Sequence, residues 1–112
     1  MTLEEFTARI VKAIQHTGTD ALCWTSYGVV DTADRRFHTK GDQDPIGMAL
    51  VYWDVAPIPH FPAVYALCKA WGVGMEQVTE FREGMKHPGA EEVSDWMLEG
   101  QKIRRRYRNP SL

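Results

Sequence analysis

Residues 66–97, ALCKAWGVGMEQVTEFREGMKHPGAEEVSDWM, decide how this chain is read. The stretch predicts three short helices separated by two tight breaks. With Val64 just ahead, Leu67, Cys68 and Trp71 complete the i, i+3, i+4, i+7 spacing of one apolar helix face. Gly72 follows, and glycine takes positive φ without a Cβ clash, which suits the position just past a helix end. Val73 and Gly74 then turn the chain into a second helix with Val78 and Phe81 facing inward and Met75 readable either way. Gly84 is expected to end that helix. Lys86-His87-Pro88-Gly89 makes a loop, and a third helix from about Ala90 is expected to bury Val93, Trp96 and Met97.

Two helices joined by a short Gly-containing turn form the helix-turn-helix unit. Leu67-Cys68, Ala70-Trp71-Gly72-Val73, Val78, Phe81-Arg82-Glu83-Gly84 and Pro88 follow one another without a gap. The pattern resembles the phage-repressor (Cro-like or XRE-like) helix-turn-helix family. The resemblance covers residues 64–97 only and consists mostly of framework positions, which speak for fold more than for function. It implies a helix-turn-helix-like core, a helix just before it, and an origin in a phage or mobile element.

Length and composition agree with one folded unit. A chain of 112 residues has room for one substantial core. Its apolar content of 44% and charged content of 25% are ordinary for a globular protein. A net charge of −2 gives no overall bias toward nucleic acid. Lys102, Arg104, Arg105, Arg106 and Arg108 nevertheless crowd the C-terminal end, leaving the body acidic. Cys23 and Cys68 lack metal-type spacing; free thiols fit best, with a disulfide left open. No apolar run approaches the ~18 residues that span a bilayer. The N-terminus lacks the charged start and apolar stretch of a signal peptide, so a cytoplasmic protein is expected.

The rest of the chain falls into place around the core. Thr2 followed by Glu5 is a capping-box pattern, and Leu3, Phe6, Ile10, Ala13 and Ile14 make the inner face of a helix over 2–17, closed by Gly18. Residues 22–30 are rich in β-branched and aromatic side chains, and 35–40 read as a returning strand. The hairpin must pack on something, since two strands alone are marginal. Gly28 predicts a bulge or a close backbone approach. Asp44-Pro45 reads as a helix start. Val51 to Val55 favour strand, but the start signal and the resemblance favour helix over 46–55, which is the reading adopted. Three prolines in residues 57–62 then break the chain, and Pro62 opens the next helix. The expected fold is mainly α with a small β-hairpin. It is one compact domain comprising 1–43 (helix and hairpin), 44–99 (helix-turn-helix-like core) and 100–112 (basic tail).

Little in the sequence points to catalysis. Cys23 with His38 or His60 could be drawn as a thiol–imidazole pair, but a buried structural cysteine is far commoner. The four histidines show no ligand spacing, and Gly72-Val73-Gly74 lacks the strand and later glycines of a phosphate loop. A non-enzymatic protein without metal or cofactor is expected. As a DNA-binding transcriptional regulator, it would present Gln77, Thr79 and Arg82 to bases, and Arg104, Arg105, Arg106 and Arg108 to phosphates. The charge of the two helices together opposes this: over 61–84, Lys69 and Arg82 are set against Glu76, Glu80 and Glu83, an excess of one negative charge. The alternative is an adaptor or inhibitor of the antirepressor or nucleic-acid-mimic type, meeting a basic protein surface through Glu76, Glu80 and Glu83. The oligomeric state is left open, a homodimer included.

Overall fold

The structure, a computed structural model, describes residues 1–107. The chain forms helix α1 (Leu3–Thr17), strands β1 (Val29–Asp31) and β2 (Phe37–Thr39), then helices α2 (Pro45–Tyr52), α3 (Ala63–Trp71), α4 (Met75–Lys86) and α5 (Asp95–Arg106). It is mainly α, with a two-stranded antiparallel sheet pairing Val30 with His38. One core runs from Phe6 to Ile103. Its centre is the Phe6 ring, which meets Trp71, Phe81 and Trp96 at centroid distances of 5.7, 5.0 and 5.2 Å. Four helices are thereby held by one aromatic cluster. Leu67, Val78 and Phe81 are fully buried, while Trp96 remains half-exposed.

The local signals explain most boundaries. Thr2 and Glu5 form the reciprocal capping box, and Gly18 ends α1. Asp44 caps α2 by accepting the Gly47 N–H at 2.9 Å, with Pro45 in the first turn. Gly72 sits at φ 62°, ψ 44°, a left-handed residue closing α3. The turn from Gly72 to Gly74 leads directly into α4.

Several boundaries differ from those expected. The hairpin strands span three residues each, not 22–30 and 35–40. Gly28 accounts for this: at φ +60° it bends the chain, and a Cβ there would run into the Asp42 backbone. Residues 21–28 instead follow 40–44 through irregular hydrogen bonds, such as Cys23 N–H to the Gln43 carbonyl at 3.0 Å. Helix α2 stops at Tyr52, short of Val55.

Gly84 does not end α4; the helix continues to Lys86. Gly84 and Gly100 are the points where α4 and α5 touch. A Cβ on Gly84 would overlap the Met97 carbonyl, and one on Gly100 the Phe81 carbonyl. The C-terminal end differs as well. Helix α5 begins at Asp95 rather than Ala90, because the Ser94 hydroxyl accepts the Met97 N–H at 3.2 Å. It then runs through Gly100 to Arg106, so most of the expected basic tail is helix, with Gln101 and Ile103 buried. The Gln101 amide donates to the carbonyls of His87 and Ala90 at 3.1 and 2.8 Å, which pins the connection from α4. Arg108 lies outside the described residues.

The hairpin is tied down electrostatically. Arg36 makes a two-pronged pair with Asp54 at 3.0 and 2.8 Å, joining the hairpin to the end of α2. The Thr32 hydroxyl and His38 hold the Asp34 carboxyl below its usual 3.8, and Arg36 does the same for Asp54. Carboxyls lowered on folding stabilise above their unfolded value and lose that contribution as pH falls through the lowered one. Amide chemical shifts of Val29–Asp31 and Phe37–Thr39 are therefore expected to move toward random-coil values below pH 3.8, before those of the helical core. Hairpin and core shifts moving together would contradict this.

Candidate functional site

Helix α4 follows the tight turn at Gly72 and leans its inner face on the core. Val78, Phe81 and Met85 are buried, and Arg82 lies on the same side. Its guanidinium Nε donates to Asp44 Oδ2 at 2.9 Å, and its cationic carbon stands 3.9 Å from the Tyr27 ring centroid. The Asp44 side chain is 0% exposed and that of Arg82 17%. Burial pushes the Asp44 carboxyl upward, against the Gly47 N–H and the Arg82 charge, and burial also raises the Tyr27 hydroxyl. Arg82 therefore ties the segment before β1, the N-terminus of α2 and α4 together. It is not on the outer face, where a base contact requires it.

The remaining expected contact residues separate in the same way. Gln77 Oε1 accepts the Gly74 N–H at 2.9 Å, so this side chain closes the N-terminus of α4. Thr79 is exposed and makes a shallow cleft of about 470 Å³ with Met75, Glu76 and Glu80. Glu83 faces His87 at 3.4 Å, an ion pair only when the imidazole is protonated. The outer face of α4 is thus acidic, with Met75 as an apolar point 38% exposed. Met75 was ambiguous in the sequence; its position before the first inward residue, Val78, leaves it at the rim.

At the other end, Arg104 donates to the Met85 carbonyl at 2.7 Å and lies 4.8 Å from the Trp24 ring. A cation on the last carbonyls of a helix offsets the macrodipole there. Arg105 donates to the Pro88 carbonyl at 2.9 Å. Arg106 is exposed and approaches Tyr107. Two of the arginines expected on phosphates are thus spent on the protein's own backbone.

Burial raises the Cys68 thiol, which disfavours the thiolate a nucleophile needs. Cys68 and Cys23 are both free. Among the described residues no group of three His, Cys, Asp or Glu side chains could hold a metal ion, and no helix is long and apolar enough to cross a membrane. No protein-family model, curated protein or solved structure matches the chain.

Proposed function

We propose that this protein is a binding module of the adaptor or inhibitor type, which presents the outer face of α4 to a basic surface on a partner protein. The observation that carries this reading is the withdrawal of Arg82 into the Asp44 pair, because it removes that cation from the face that carries Glu76, Glu80 and Glu83, where Glu83 meets only the His87 imidazole, charged when protonated. Phosphate contact dominates affinity for DNA, and carboxylates oppose it. Met75 and the cleft beside it would supply the apolar centre that such interfaces need within a polar rim. The second reading is a DNA-binding regulator. It is favoured by the left-handed turn at Gly72 and by the exposed Lys102 and Arg106 on α5.

Fluorescence polarisation against mixed duplex DNA at two salt concentrations separates the two. Wild type is expected to show little binding at physiological salt. Replacing Glu76, Glu80 and Glu83 with lysine should create measurable, salt-sensitive DNA affinity and abolish capture of the protein partner. A wild type that binds duplex tightly, with a steep salt slope, overturns the adaptor reading and restores the regulator.

A further inference from the structure

The outward side of α1 carries a pattern the core does not use. Glu4, Ala8 and Lys12 repeat every fourth residue and are all exposed, on the side opposite Phe6, Ile10 and Ala13. They line a groove of about 760 Å³ together with half-buried Leu3 and Val11 and with Arg106 at the end of α5. Among the described residues neither Glu4 nor Lys12 forms an ion pair. Lys12 has one weak attachment, its ammonium standing 6.0 Å from the Trp53 ring. Glu99 also lines the groove but is already paired with Lys102 at 3.1 Å.

We propose that this groove is the contact surface of a homodimer in which α1 packs antiparallel against α1 of a second copy, with Ala8 on the two-fold axis. A two-fold interface must be complementary to itself. Glu4 and Lys12 lie four residues on either side of Ala8, about 12 Å apart along the helix. Antiparallel pairing about Ala8 therefore brings each Glu4 opposite Lys12 of the second copy, twice over. A parallel arrangement would set Glu4 on Glu4 and Lys12 on Lys12. The small Ala8 lets the two axes approach at the crossing, and Leu3 and Val11 flank it with apolar surface. A contact of one helix and the end of another lies at the small end of stable interfaces, so the dimer is a reversible one.

Sedimentation equilibrium over a micromolar to sub-millimolar concentration series tests this. Wild type is expected to pass from monomer to dimer. Glu4→Lys and Lys12→Glu should each weaken self-association at least about tenfold, because like charges then meet across the axis. An equimolar mixture of the two variants should regain it, since each supplies the charge the other now needs. Glu4→Lys also removes an acid from the first turn of α1, so its circular dichroism is checked against wild type. Ala8→Arg provides a second variant that leaves the Thr2–Glu5 box intact, and it should likewise stay monomeric. The inference is overturned by a monomeric wild type, by single variants that dimerise as wild type does, or by a mixture that fails to associate.

Discussion

Gly100→Ala is expected to destabilise the protein by at least about 3 kcal/mol, read as a shift of the urea midpoint at constant slope. The sign is the informative part. Alanine favours a helix interior over glycine by about 1 kcal/mol, so an open site would be stabilised by this change. Gly100 is buried inside α5, and its added methyl would overlap the Phe81 carbonyl and crowd the Met85 N–H at 3.1 Å. Ordinary overpacking costs ~1–3 kcal/mol when side chains give way. Here the obstacle is the backbone of α4, which cannot rotate aside. Gly84→Ala meets the Met97 carbonyl in the same way, and the double variant should not fold. A stabilised Gly100→Ala protein would mean that α4 and α5 lie farther apart than described.

The second large effect belongs to Arg82. Removing one partner of a buried pair leaves the other charge uncompensated, at a cost of about 3–5 kcal/mol. Arg82→Ala strands Asp44, whose side chain is fully buried, and also uncovers the Tyr27 ring. Replacing the pair together, Arg82→Met with Asp44→Asn, should recover much of the loss, because Asn still caps α2 and no buried charge remains. If Arg82→Ala cost less than about 1 kcal/mol, the typical value of an exposed pair, Arg82 would be a surface residue. It would then be available to a base again. One stability measurement thus bears on the choice between the two functions.

Several features are legible in adjacent residues. The Thr2–Glu5 box, the Asp44-Pro45 start and the Gly72 stop are contained within a few adjacent residues and appear in the structure as expected. The position of Arg82 was also legible in principle. Val78, Phe81, Arg82 and Met85 fall at i, i+3, i+4 and i+7, the inner face of α4, yet its charge suggested the outer one. Its partner, Asp44, lies 38 residues away, and nothing in local spacing links the two. The strands failed for the opposite reason, since β propensity over 22–30 was overruled by the approach of Gly28 to Asp42.

Apolar period, caps and left-handed glycines act over a turn or two of chain, so the number and type of most elements follow from neighbouring residues alone. What Gly84 and Gly100 do depends instead on the helix packed against them. A glycine that ends a helix and one that admits a neighbouring backbone are the same residue in the sequence, and they differ only in what lies opposite. The same holds for the charges. Whether an arginine reaches solvent, a helix end or a buried carboxylate depends on which segments fold against it: Arg104 caps α4 and Arg82 closes on Asp44.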